Sequence, residues 1–259
     1  MKRKTFSKIF ILVLIFAASL FFQSLICFCE NTNSGIENFY RANFLYEQTQ
    51  YTEAIKQYEA LIEKGLVSAN LYYNLGNSYF KKGDLGKAIL YYERAKRLAP
   101  RDIDLESNYA YARSLIKAKI TEQRPLWFVH ITGKLFAKLT MDELTLFIFF
   151  LYIAIVSSII LGLYLKFMKP YTRFLLIIFG IMLILGVFAL GARICCHYAD
   201  AIIVKEAEAK FEPFERGTTH FVLSEGMKVS IRSSKDGWAK VKRIDGKIGW
   251  VNQSFLERI

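Results

Sequence analysis

Four groups of residues in this chain have the types and spacings to do chemistry. Cys195, Cys196, His197 and Asp200 place metal-ligand atoms in one short stretch. Gly83-Asp84-Leu85-Gly86-Lys87-Ala88 holds a Gly-Lys pair of the kind that cradles phosphate. Asn43, Tyr73, Asn74, Asn77 and Asn108 could hydrogen-bond a partner segment, and Trp238 and Trp250 could stack on a ligand. The first two groups fail on their own chemistry. Adjacent cysteines rarely both ligate one tetrahedral ion, and no second motif completes the set, so no metal site is expected. The Gly-Lys spacing is too short for a phosphate loop, Ala88 stands where a hydroxyl would hold Mg²⁺, and no strand precedes it. His130, His197 and His220 fall in three different segments, with no nucleophile elbow and no paired carboxylates nearby. Neither catalysis nor a cofactor is expected, which leaves the asparagines and tryptophans as candidate partner-binding residues.

The elements that must position them begin with three apolar runs, Ile9–Phe28, Leu144–Leu165 and Phe174–Ala192, in a chain of 259 residues that is 53% hydrophobic. The last two lack a polar face and are long enough, as helices, to cross a hydrocarbon core about 30 Å thick. Residues 1–29 carry Lys2, Arg3, Lys4 and Lys8 ahead of an apolar stretch and read as a signal peptide or an N-terminal membrane anchor. Residues 144–165 and 174–192 read as transmembrane helices joined by a cytoplasmic turn, 166–173, that holds Lys166, Lys169 and Arg173. Basic flanks stay inside, so the segments 30–143 and 199–259 are both expected on the outer face. Of the net charge of +12, the N-terminal flank and the turn account for +7; the two exported segments share the remainder with nearly mixed charge. The basic balance therefore describes topology, and nucleic acid is not an expected partner. Cys27 and Cys29 lie in the first run and Cys195 and Cys196 are adjacent, so there is no disulfide framework.

Between the first two runs the chain repeats. Tyr72, Leu75, Gly76, Tyr79, Ala88, Tyr92, Ala95 and Pro100 fall at the spacing of the tetratricopeptide repeat, which this stretch resembles. Thirty-four residues earlier, Phe39, Ala42, Asn43, Tyr46, Ala54, Ile55, Tyr58 and Glu59 form a more degenerate copy, and Asn108, Tyr109 and Ala110 begin a third. The reading is 30–120 as repeats with a capping helix over Asp102–Lys119, then 121–143 as a linker or interfacial helix. An array this short is near the lower limit of independent stability, and a partner or the membrane is expected to help complete it. The resemblance implies a peptide-binding groove lined by the first helices, with Asn43, Tyr73, Asn74, Asn77 and Asn108 as its candidates. A clamp for a C-terminal carboxylate is disfavoured, because Phe39, Asp104 and Asn108 stand where that clamp needs Lys or Arg. Local hydrogen bonds explain the asparagines equally well.

From Ala201 the pattern changes to short alternating segments punctuated by Glu225-Gly226, Asp236-Gly237 and Asp245-Gly246, the period of a small antiparallel barrel. Leu223–Ile231, Gly237–Val241, Asp245–Val251 and Leu256–Ile259 resemble the bacterial SH3 domain, so 199–259 reads as an SH3-like module. The resemblance implies a peptide- or cell-wall-binding face near Trp238 and Trp250; packing of the barrel is the competing role for each.

The expected fold is thus a multidomain membrane protein: an all-α tetratricopeptide solenoid, a two-helix transmembrane hairpin and a small all-β barrel. Taken in this order, the parts resemble the BatE-type membrane protein of bacterial Bat aerotolerance operons. That resemblance implies a non-enzymatic scaffold on the outer side of the bacterial cytoplasmic membrane, periplasmic where there is a periplasm. It also implies integral membrane von Willebrand A-type partners from the same operon. The alternative is a peptidoglycan-binding envelope anchor acting through the SH3 module.

Overall fold

The computed structural model describes residues 33–117, 136, 138–165 and 169–259. The expected signal or anchor, 1–29, and most of the expected linker, 121–143, lie outside the described residues. Among the described residues seven α-helices precede seven β-strands.

Five helices form antiparallel pairs: α1 (Asn33–Glu47), α2 (Tyr51–Glu63), α3 (Ala69–Lys82), α4 (Leu85–Leu98) and α5 (Ile103–Ser114). Their starts are written locally. Ser68, Asp84 and Asp102 each accept the backbone N–H three residues on, at 3.1, 3.2 and 3.0 Å. Gly83 ends α3 in the left-handed region at φ 91°, where a side chain would be strained. Small residues set the helix spacing: Ala42, Ala54, Ala88 and Ala95 are fully buried, and a Cβ on Gly76 would meet the Tyr92 ring at 2.7 Å. Tyr58 and Tyr92, one repeat apart, fill the space between the pairs. The expected capping helix is α5, with Asp102 as its N-cap.

Among the described residues two helices are long and apolar enough to cross a membrane: α6 (Met141–Tyr164), whose mean hydropathy reaches 2.7, and α7 (Lys169–Ala199), which reaches 2.9 over Pro170–Ile194. They run antiparallel, with Gly162 against Thr172 and Gly186 against Ile148. A capping box between Thr140 and Glu143 starts α6. Boundaries of both helices differ from the sequence reading: α6 begins at Met141, three residues before the expected span. Lys169 to Arg173, expected in the turn, are already helical, because Pro170 sits in the first turn, where its missing N–H costs nothing. At its other end α7 continues past residue 192 to Ala199 and passes directly into strand β1.

The C-terminal strands, β1 (Asp200–Ile203), β2 (Ala207–Lys210), β3 (Thr219–Leu223), β4 (Lys228–Lys235), β5 (Trp238–Arg243), β6 (Ile248–Asn252) and β7 (Leu256–Arg258), form one antiparallel sheet in the order β3-β2-β6-β5-β4-β1-β7. Ala201, Ile203, Ala209, Leu223, Val229, Val241 and Val251 make its core. Ile202 of β1 and Val204 just after it belong to the helical core instead.

Candidate functional site

The first helices of the pairs, α1, α3 and α5, present one face whose residues recur at the repeat interval. Phe39 and Tyr73 form one row, Asn43, Asn77 and Tyr111 a second, Tyr46 and Phe80 a third. Within α1, residues 39, 43 and 46 lie on one side of a helix, and the same holds at the matching positions of α3. All are partly exposed, and Tyr111, which meets Phe80 edge-on at 5.8 Å between ring centroids, is the most open. The face is aromatic and amide-rich, with Glu47 and Lys81 beside it.

The asparagines on this face do a specific job. Asn43 Oδ1 accepts from the Tyr58 hydroxyl at 2.6 Å and from Asn74 Nδ2 at 3.0 Å. Asn77 Oδ1 accepts from the Tyr92 hydroxyl at 2.6 Å and from Asn108 Nδ2 at 3.3 Å. The second set is the first moved on by one repeat at every position. Each set joins one helical pair to the next pair's first helix, so the asparagines stitch the solenoid together. Asn108 Nδ2 also donates to the Tyr73 hydroxyl at 2.7 Å, which adds Tyr73 to the second set. Burial pushes the Tyr58 and Tyr92 phenols well above their ordinary range, so both remain donors at any physiological pH.

Residues 41–103 match the tetratricopeptide repeat family. No curated protein matches the chain. Tetratricopeptide repeats indicate a protein-interaction module.

On the opposite side of the solenoid α4 docks onto the sheet. The contact uses Gly86, Ile89, Glu93, Arg94 and Arg97, which share one stripe of the helix. Gly86 is so close to the Val204 backbone that a Cβ would lie 2.7 Å from Val204 Cα, and its N–H donates to Glu225 Oε1 at 2.7 Å. Asp84 and Glu225 together cap the start of α4, one from its own turn and one from the sheet. Arg94 and Arg97 donate to the main-chain oxygens of Arg258 and Ile259 at 2.6 and 2.7 Å. Between them Glu93 accepts from the Tyr109 hydroxyl and pairs with Lys228 at 3.4 Å, and Lys228 pairs with Asp200 at 3.0 Å. Burial opposes the Glu93 carboxylate, yet Lys228 and Tyr109 outweigh it and hold its pKa below the ordinary value. Burial likewise opposes the Lys228 ammonium, and Glu93 and Asp200 outweigh it and hold that pKa high.

This relay runs from α5, through α4, to the first residue after α7. A second link, from Arg101 to Glu143, ties the α4–α5 turn to the start of α6. The solenoid and the sheet therefore sit at the same end of the apolar helix pair. A cleft of about 380 Å³ opens between α4, α5 and the sheet beside Ile89, Glu93, Ile116 and Arg243. Its charges are already paired: Arg243 grips Asp245 through two nitrogens at 3.0 and 2.6 Å and holds that carboxyl down at about 2.

The remaining candidates separate. Trp238 is buried, with Lys210 over its ring at 5.9 Å, whereas Trp250 is half-exposed beneath Lys240 at 5.8 Å. The side chains of Cys195, Cys196 and His197 lie outside the described residues, while Asp200 accepts from Ser230 Oγ at 3.2 Å and pairs with Lys228. Sequence reasoning missed the docking face altogether and named only part of the groove. The 34-residue offset that links Asn43 to Asn77 would also have found Tyr111. The uninterrupted apolar run Ala201-Ile202-Ile203-Val204 marks a strand buried on both faces.

Proposed function

We propose that this chain is a membrane-anchored, non-enzymatic adaptor that holds a partner's segment in the aromatic and amide face of its solenoid. The observation that carries this reading is the recurrence of that face over three first helices, on a solenoid tied to the start of α6 and the end of α7 at one end of the apolar pair. The helix pair supports placement in the bacterial cytoplasmic membrane, with the solenoid and the sheet on its outer side. The seven short antiparallel strands support reading 199–259 as a bacterial SH3 module. With the tetratricopeptide match, this arrangement favours a BatE-type role in an aerotolerance-related envelope complex, and the partner class is then an integral membrane von Willebrand A-type protein.

Photo-crosslinking in intact membranes tests the groove. A crosslinker at Phe80 or Tyr111 is expected to trap an integral membrane protein, and one at Lys56, exposed on α2, is not. Equal trapping from Lys56 would overturn the groove as the binding face. Reporters fused after Phe167 and after Ile259 test topology: the first is expected inside, the second outside. A second reading, peptidoglycan binding, draws on the half-exposed Trp250 beside Lys240. It fails if the full chain in detergent is not retained by purified peptidoglycan, or if Trp250→Ala leaves retention unchanged.

A further inference from the structure

The β4–β5 hairpin turns back toward the apolar helix pair. Strand β1 leaves α7 at Asp200, which lies opposite Ser230, and Ile202 lies opposite Lys228. Because the strands are antiparallel, the residues of β4 beyond Ser230 extend toward the helix, as far as Lys235. Five strand residues cover about 16 Å. The last five residues of α7 beyond Ile194, where the apolar span ends, rise only about 7.5 Å. With β4 packed beside α7, the tip reaches the level at which the apolar span stops.

The composition of that tip suits a charged surface. Arg232 is the extra residue of a bulge between Ile231 and Ser233, which turns its side chain out of the ladder. Asp236 and Gly237, at φ 48° and 79°, close a tight turn between Lys235 and Trp238. Arg232 and Lys235 are exposed, Lys240 lies opposite Ser233, and Asp236 is the one acid in the stretch 231–240. We infer that this hairpin rests on the membrane surface and binds the headgroups of anionic lipids through Arg232 and Lys235. Each basic side chain at such a surface raises partitioning about fivefold. The inference rests on the membrane reading of α6 and α7 and assigns the sheet a lipid contact of its own.

The test uses the full chain with its four cysteines replaced by serine and a fluorophore at Ser234→Cys. The protein is reconstituted in nanodiscs of phosphatidylcholine, alone or with phosphatidylglycerol, containing a headgroup-spin-labelled lipid. Quenching at 234 is expected, stronger with phosphatidylglycerol. It is not expected at Lys247→Cys, which lies at the opposite end of β5 and β6. Arg232→Gln with Lys235→Gln should lower the ratio of docked to undocked hairpin about 25-fold, fivefold for each charge. Resistance to alkaline extraction reports insertion separately. If the chain is inserted but position 234 is unquenched, the proposal is overturned and the tip is left for an acidic protein partner. Quenching that ignores both phosphatidylglycerol and the neutralised charges also overturns it. A chain extracted by alkali removes the membrane reading and this inference together.

Discussion

Replacing Gly86 by alanine puts the docking of solenoid on sheet to a test of sign. Gly86 is the second residue of α4, and in a solvent-facing helix the change to alanine is favourable by up to about 1 kcal/mol. In the docked chain the new Cβ meets Val204 Cα and O, both at 2.7 Å, and Glu225 Cγ at 2.9 Å. Two of these are backbone atoms, so the sheet must move. Overpacking of this kind costs about 1 to 3 kcal/mol. The shift also strains the 2.7 Å bond from the Gly86 N–H to Glu225. A hydrogen bond to a charged acceptor contributes about 1.5 to 3 kcal/mol, and partial exposure puts this one at the low end. After the gain in helix propensity the net loss is about 2 kcal/mol. At about 2 to 4 °C per kcal/mol for a chain of this size, the midpoint falls by about 4 to 8 °C. The assay is thermal unfolding of the full chain in detergent, with hydrogen exchange at the Gly86 amide as the local readout. Faster exchange should accompany the lower midpoint. A variant that melts higher than the parent, with unchanged exchange, would refute the docking geometry.

Three further outcomes follow from the same contacts. Lys228→Met leaves Glu93 and Asp200 without their shared cation; breaking a buried pair costs about 3 to 5 kcal/mol, and since the Lys228 side chain is 41% exposed the loss should be nearer 2. The parent's pair should contribute fully across the middle of the pH range. Glu93, held below its ordinary 4.5, loses its contribution as pH falls through the lower, folded value; Lys228, held above its ordinary 10.5, loses its own as pH rises through the higher one. In Lys228→Met the charge and hydrogen bond that Lys228 gives Glu93 are gone, so the acid limb of a stability titration should move to higher pH. Asn43→Ala strips Tyr58 and Asn74 of their acceptor and should cost about 1 to 3 kcal/mol in denaturant titrations, while Asn108→Ala, on an exposed donor, should stay within about 0.5 kcal/mol. Asn108 is therefore the position at which lost crosslinking reports binding rather than unfolding. Trp238→Ala should cost about 3 to 5 kcal/mol, as a buried ring does, and Trp250→Ala distinctly less in the same titration.

The helical pairs were legible because each of their causes is local. Ser68, Asp84 and Asp102 cap helices through backbone groups three residues away, Gly83 ends one, and the 34-residue offset places Ala54 under Ala88 and Tyr58 under Tyr92. The groove candidates were legible as a list, but the role of Asn43 and Asn77 was not. Whether an amide faces a partner or a neighbouring tyrosine depends on the stacking of one pair on the next. Gly86 shows the limit more sharply. In sequence it reads as part of an interhelix turn, yet the turn is closed by Gly83 and capped by Asp84, and Gly86 is small because Val204 lies against it, more than a hundred residues along the chain.

By itself the sequence determined the helical pairs, the two apolar helices and the turns between short strands, since periodicity, caps and long uncharged runs act within a few residues of themselves. Only the tertiary structure decided that the solenoid and the sheet form one body. The α4 stripe of Gly86, Ile89, Glu93 and Arg97 and the run from Ala201 to Val204 are each incomplete alone: one is a helix face whose glycine and charged groups find their partners only on the sheet, the other a stretch buried on both sides. Burying both at once removes apolar surface from water, and it lets Glu93 and Asp200 leave solvent on either side of the half-exposed Lys228. The short solenoid is thereby completed by the sheet of its own chain.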